Sequence, residues 1–318
     1  MLMSKFGLTL QDYQSWLLEK TDMQFAYGTR EIFLDYMGLD YSHIFPGIVQ
    51  HGIGPWEFLE STWPTPRLGL SRRLPLWLYS DRAVELATKS GAKDVRAIGS
   101  PWVYLTEIKD SERFRSKASP ENKFLVFPKH YSHEVVNNEE LQSILTRITK
   151  WKLIARQGEL TICLYWTEFL NPNWHRAASM EEVIITCAGI SSTQPSWSLS
   201  KSRTHFLLNL RSIMLQHEFI IFENYTSGIF YGASLGKQIG MFSDGPEEKE
   251  SHTTKVRREW IRRNLPEMHE QFSYTPRMQE VSDEYLGAGN MRTADELVEM
   301  LRPIPNVLIP PQYYGEFD

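Results

Sequence analysis

The stretch FIIFENYTSGIFYGASLGKQIGMF (219–242) decides the fold class of this chain. It opens on apolar residues without alternation, turns at a small polar cluster, and starts a helix that Gly236 ends. Lys237 then leads into a second apolar run. A continuously apolar strand is what a sheet covered on both faces requires, and strand–helix–strand order makes the two strands parallel. Upstream the same grammar repeats. KFLVFP (123–128) reads as a strand and EELQSILTRITKW (139–151) as an amphipathic helix. ELTICLYW (159–166) and EEVIITCAG (181–189) read as strands, and THFLLNLRSIMLQH (204–217) is the helix that feeds residue 219. Helical segments near 253–272 and 293–302 finish the chain. This alternation, over about 120 residues, predicts a doubly wound parallel sheet.

The N-terminal part is thinner. Leu10, Tyr13, Trp16 and Leu17 recur at helical spacing within a segment read as helical from 9 to 38. IFPGIVQHGIGP offers a short strand feeding a glycine loop. LPLWLYS (74–80) reads as another strand, followed by a helix that Ser80 or Asp81 caps and Gly91 closes. DVRAIGSPWVYL is a third strand that breaks at Gly99-Ser100-Pro101. Three strands, where a full Rossmann-like domain has five or six, make a reduced lobe. The polar run DSERFRSKASPENK (110–123) is the linker, giving an N-terminal lobe at 1–115 and a C-terminal Rossmann-like domain at 116–318.

Bulk properties narrow the function classes. At 318 residues, 42% hydrophobic and 23% charged, the chain is globular and long enough for two cores. A net charge of -5 argues against a global nucleic-acid field. The two cysteines, Cys163 and Cys187, lie in apolar runs and read as inert core thiols of a reducing cytoplasm. No run of 18 apolar residues occurs, so the sequence reads as a soluble, cytoplasmic protein. KVRREWIRR (255–263) puts five basic residues and Trp260 on one helix. That pattern is either a solvated face or a peripheral contact with the inner face of the cell membrane.

The residues able to do chemistry gather at the strand ends. Glu223-Asn224 closes a buried strand, and Thr226-Ser227-Gly228 opens a helix at the carboxyl edge of the sheet, where open α/β folds bind ligands. Helix N–H groups, two hydroxyls and a glycine that admits close approach suit a phosphate or diphosphate. The alternative is that Thr226 caps the helix and Gly228 permits close packing. His130 follows the strand at 123–128 and could bond a donor phosphate or nucleotide, and Glu223 could accept from a ribose or sugar hydroxyl. His51 sits in a glycine-bracketed loop and is the candidate general base, with Glu57 second. Trp174, in EFLNPNWHR, is the candidate platform for stacking an acceptor sugar, against a reading as core packing. His130 and His133 have no third ligand at matching spacing, so no metal is expected.

The segment from Glu223 to Lys237 resembles the donor-binding segment of two-domain (GT-B) glycosyltransferases, and is similar to that of the related UDP-N-acetylglucosamine 2-epimerases. VQHGIG (49–54), VFPKHYSH (126–133) and RAIGSPWVYL (96–105) resemble segments of bacterial capsule and surface-polysaccharide proteins. The resemblance implies two Rossmann-like lobes and transfer of a sugar from a nucleotide sugar to a glycan or lipid-linked acceptor, with no metal or other cofactor. It implies donor contacts at His130, Glu223, Thr226, Ser227 and Gly228. Pro128-Lys129-His130 and Thr226-Ser227 depart from the His-Pro and Ser-Ser of several CMP-sugar transferases, which leaves the donor class open. A sugar-nucleotide epimerase or hydrolase on the same fold, and a non-catalytic nucleotide-sugar-binding remnant, are the alternatives.

Overall fold

A computed structural model describes residues 27–40, 43, 47–50, 52–53, 75–108, 121–129, 138–156, 158–189, 206–242 and 252–301. These divide into two compact units. The first is drawn from within Met1–Arg113, Ser191–Leu208 and Asp283–Asp318, the second from Phe114–Ile190 and Asn209–Ser282. The sequence reading ran the second domain on to residue 318. In the structure, described residues after Ser282 belong with the first unit.

In chain order the first unit opens with α1 (Thr29–Met37), β1 (Ile48–Val49), β2 (Leu76–Leu78), α2 (Asp81–Lys89) and β3 (Val95–Ala97), then a 3-10 turn at Pro101–Tyr104. Its three strands are parallel in the order β1-β2-β3, with Ile48 opposite Leu76 and Leu76 opposite Val95. Ser80 caps α2 by accepting from the Ala83 N–H at 3.3 Å, as a Ser before a helical run should. Trp77 and Tyr104 are fully buried, and Tyr104 meets Phe33 of α1 edge-on.

The second unit holds β4 (Lys123–Phe127), α3 (Asn138–Ala155), β5 (Glu159–Leu164), α4 (Trp166–Phe169), α5 (Pro172–Met180) and β6 (Ile184–Cys187). After α6 (Phe206–Leu215) come β7 (Phe219–Phe222), α7 (Gly228–Ser234), β8 (Gln238–Met241) and α8 (His252–Asn264), followed by α9 (Pro276–Leu286) and α10 (Ala294–Leu301). The unit boundaries fall within α6 and α9. The strands form a five-stranded, all-parallel sheet in the order β6-β5-β4-β7-β8. The chain moves from β4 through β5 to β6, then crosses to the other side of β4. Its direction of winding therefore reverses between β4 and β7. The fold is α/β, with one doubly wound parallel sheet and one reduced parallel sheet, as the apolar runs require.

One core lies against α3 and α5, where Ile144, Ile148, Trp151, Trp174 and Ala177 pack on Val126, Ile162 and Ile221. On α7, Gly232 faces the side-chain ends of Ile220 and Ile239, 3.2 and 3.1 Å from where a Cβ would stand. Cys163 is buried, and burial pushes its thiol up to about 12. Cys187 is half-buried, with its thiol also raised by burial. Neither is set up as a thiolate nucleophile. No helix among the described residues is long and apolar enough to cross a membrane.

Residues 286–300 complete the first unit. The Leu286 carbonyl accepts from the Ser100 N–H at 2.8 Å, and Gly287 sits so close to β2 that a Cβ there would stand 1.7 Å from the Tyr79 carbonyl oxygen. Gly287 also has φ 67, so only glycine fits without strain. Asn290 Oδ1 accepts from the Asp81 N–H, and Arg292 Nε donates to the Ala97 carbonyl at 3.0 Å. The Tyr104 hydroxyl donates to the Ile98 carbonyl and accepts from the Arg292 N–H. Burial pushes the Tyr104 phenol up to about 12, so it remains the neutral donor this bridge needs.

Candidate functional site

Winding reversal in an open α/β sheet leaves a crevice at the carboxyl ends of the two strands involved. Here those ends are Phe127 and Phe222, whose rings stack at 5.1 Å. The Glu223 N–H donates to the Phe127 carbonyl at 3.3 Å, so the ladder extends one residue past β7. The Glu223 side chain then turns inward. Its Oε1 accepts from Trp151 Nε1 at 2.8 Å, and its Oε2 accepts from the Lys129 N–H at 2.9 Å and from Arg147 Nη2 at 2.5 Å. The Arg147 and Glu223 side chains are 8% and 0% exposed. An unpaired carboxylate at that depth would carry a heavy desolvation cost, and three donors including a guanidinium offset it. Arg147 also lies over the rings of Trp151 and Trp174, at 5.2 and 5.5 Å from their centroids.

The turn that follows satisfies much of its own polarity. Asn224 Oδ1 accepts from the Tyr225 N–H, and Thr226 Oγ1 accepts from the Gly228 N–H, both at 2.8 Å. The Phe230 and Tyr231 N–H groups donate to the Ser227 carbonyl. A Cβ on Gly228 would stand 2.8 Å from the Phe222 ring, so this glycine is required by packing. Ser227 is half-buried at the N-cap, and its side chain does not cap the helix. Of the three residues proposed to cradle a phosphate, Thr226 accepts within the turn, Gly228 is fixed by packing, and the Ser227 side chain makes no cap bond.

Several sequence-based assignments change. Glu223 is an internal acceptor with both oxygens engaged, which corrects its reading as a ligand for a ribose or sugar hydroxyl. Trp174 is 3% exposed and stacks on Trp151 at 6.3 Å, which corrects its reading as an acceptor platform. The cause is local: Asn171 caps and Pro172 starts α5, whose buried face is Trp174, Ala177 and Ala178. In the basic run, Arg258 and Trp260 are buried, with Trp260 against Tyr225 and Phe230, while Lys255, Arg262 and Arg263 are exposed. A membrane-facing tryptophan is excluded there.

His51, Glu57, His130 and His133 lie outside the described residues. What flanks residue 51 is well defined. Gln50 is buried, its Oε1 accepts from the Tyr79 N–H at 3.0 Å, and its Nε2 donates to the Gly52 carbonyl at 3.0 Å. The Tyr79 hydroxyl donates to the Gln50 carbonyl at 2.7 Å.

Two polar features escaped the sequence reading. Arg147 drew no comment within the amphipathic helix read at 139–151, although it lies between Ile144, Ile148 and Trp151 on the apolar stripe. A charge inside such a stripe is the signal that was available. Arg30 and Glu31 form the other, an ion pair at 3.3 Å with side chains 0% and 2% exposed at the start of α1, after left-handed Tyr27 and Gly28. A glycine, then an adjacent opposite-charge pair ahead of an apolar helix, could have marked it.

No protein-family model and no curated protein matches the chain. Among solved structures it is similar to the UDP-GlcNAc 2-epimerase of Neisseria meningitidis bound to UDP-GlcNAc, at 13% identity and a TM-score of 0.43, over 81% of this chain and 70% of that one. It is similar to S. aureus MnaA in a structure with UDP, at 12% identity and a TM-score of 0.41, over 80% and 65%. A third likeness is to the UDP-GlcNAc 2-epimerase of Methanocaldococcus jannaschii, at 10% identity and a TM-score of 0.39, over 85% and 72%. Likenesses at this level carry no correspondence between residues.

Proposed function

We infer that the protein is an enzyme acting on a nucleotide-linked sugar, with the nucleotide portion at the carboxyl edge of the five-stranded sheet. The observation that carries this reading is the placement of the Thr226–Gly228 turn. It opens a helix beside the winding reversal between β4 and β7 and presents Ser227, whose side chain is not used as the helix cap. The first-choice reaction of the sequence reading, transfer to a glycan or lipid-linked acceptor, drew its acceptor side from Trp174 and its membrane side from the helix bearing Trp260. Both rings are interior. The reading with more support is the one in which the nucleotide sugar is itself the whole substrate, an epimerisation or hydrolysis.

The test is a melting-temperature screen with UDP, CDP, CMP, GDP and their common sugar conjugates, on the wild type and on Ser227→Asp. A nucleotide at a hundred times its Kd adds about 2.7 kcal/mol. One nucleotide is expected to raise the wild-type melt and leave the Asp variant unmoved. Proton NMR of the matching nucleotide sugar in D2O, without acceptor, then follows change at the sugar. Absence of any shift across the panel overturns the reading. An unchanged sugar that reacts only once an acceptor is added returns transfer to first place.

A further inference from the structure

Lys129, the residue that carries the chain off β4, is held at both of its backbone polar groups by one buried ion pair. Its N–H donates to Glu223 Oε2 at 2.9 Å, and its carbonyl accepts from Arg147 Nη2 at 3.3 Å. The same nitrogen, Arg147 Nη2, donates to Glu223 Oε2. Three elements meet in this clamp: the end of β4, the end of β7 and the middle of α3. Trp151 fixes the other carboxylate oxygen, and the guanidinium lies over the Trp151 and Trp174 rings, so neither charged group has freedom to turn outward.

The position of the clamp matters more than its depth. A strand needs no ion pair to end. Loop backbone groups are ordinarily satisfied by water, and a guanidinium–carboxylate pair spent on one of them gives that residue a fixed path. The residue so fixed lies where the winding of the sheet reverses, next to the Thr226–Ser227 turn in the β7–α7 connection.

We propose that Arg147 and Glu223 are positioning residues for the ligand crevice. They never touch the ligand, and they set the exit of β4 so that the crevice between β4 and β7 has the width a nucleotide requires. The proposal rests on the nucleotide reading above and goes beyond it by assigning binding to a pair that is wholly internal.

Three proteins separate positioning from plain structural support: the wild type, Arg147→Met, and Arg147→Met with Glu223→Gln. The single variant leaves a buried carboxylate without its cation and is expected to melt early. The double variant is neutral and of similar volume, so its melt is expected to return close to the wild-type value, because a buried ion pair is often replaceable without loss. Both variants lose the Arg147 donor to the Lys129 carbonyl. For the nucleotide found in the screen, isothermal titration is expected to give a Kd raised at least tenfold in both, about 1.4 kcal/mol. Amide exchange in the ligand-free proteins reads the clamp directly, with faster exchange at residues 126–129 in both variants.

A double variant that regains the melt and binds as tightly as wild type overturns the proposal, because the pair then only supports the fold. Unchanged exchange at 126–129 overturns it as well, with or without a ligand in hand. If the wild type binds no nucleotide while exchange still quickens in the variants, the nucleotide reading fails and the positioning role fails with it. The clamp is then a feature of folding alone.

Discussion

The two parallel sheets finish their carboxyl edges in opposite ways. In the larger sheet the ends of β4 and β7 are braced by side chains, with Glu223, Arg147 and Trp151 gripping the backbone at Lys129. In the smaller sheet the ends of β2 and β3 are closed mainly by backbone from residues 286–292, with the Leu286 carbonyl on the Ser100 N–H and Gly287 against Tyr79, joined by the Arg292 side chain on the Ala97 carbonyl. A side-chain brace secures the backbone and leaves the crevice beside it open to a ligand. A backbone plug occupies that space. The contrast makes the larger sheet the edge at which the proposed nucleotide is to be tested first, and among the described residues the β1 end, framed by Gln50 and Gly52, is the part of the smaller sheet that residues 286–292 do not contact.

The largest expected effect breaks the plug. Gly287→Val forces a β-branched residue into a left-handed conformation at about 1–2 kcal/mol, and a Cβ against the Tyr79 carbonyl adds about 1–3 kcal/mol of overpacking. A denaturant titration is expected to show a loss near the sum, read as a midpoint shift of the first unit. A shift under a third of that means residues 286–292 are easily displaced, and the contrast between plug and brace fails.

Gly228→Ala sharpens the other side of the comparison. Gly228 has an ordinary φ, but its Cβ would press on the Phe222 ring, which is buried and stacked on Phe127. A loss of about 1–2 kcal/mol is expected from overpacking. Nucleotide affinity should fall alongside stability if the turn holds the ligand, and stay put if Gly228 serves packing only.

The smallest effect is one of pH. His217 is buried at the C-terminus of α6, and its Nδ1 donates to the Ile213 carbonyl. Burial depresses its pKa, with the Ile213 bond and Glu159 opposing and with Lys123 and Lys237 nearby adding to the depression. The unfolded chain thus binds a proton at a higher pH than the folded one. This contribution to stability is complete above the unfolded value, about 6.5, and is lost as pH falls from there through the depressed folded value. Melting curves between pH 7.5 and 5 are expected to fall less steeply for His217→Asn than for wild type. Parallel slopes would show that the imidazole takes up its proton at the same pH in the folded and unfolded chains.

Much of the architecture could be read from residue order. Every strand of the larger sheet was found within two residues at most boundaries, because runs such as FLVF and FIIF admit only a doubly covered strand. Three helices were missed, the single-turn α4 and the longer α5 and α9, and the two longer ones begin with the same device. Asn171-Pro172 and Thr275-Pro276 each place a capping side chain before a proline, with Asn171 accepting from Asn173 and Thr275 from Met278. Each proline stands at the first helical position, a start signal that the sequence reading did not use. The site was less legible for a different reason. Whether Glu223 faces a ligand or an arginine depends on a partner 76 residues away, and nothing local to FIIFEN (219–224) encodes it. The return of residues 286–300 to the first unit is likewise a matter of long-range fit, written only in two glycines, Gly99 and Gly287, that approach each other.

That return also sets a timetable. Every residue assigned to the second unit has been made once the ribosome has passed Ser282, whereas the first unit still lacks Gly287, Arg292 and α10. Domains tend to fold as they emerge, the N-terminal one first. Here that order is inverted at the last step: strands β1 to β3 must wait through synthesis of the whole five-stranded sheet before the segment that closes them exists. A chain released at residue 284 carries every residue of the second unit and none of the segment that closes the first, so it should fold the five-stranded sheet and leave β1 to β3 open.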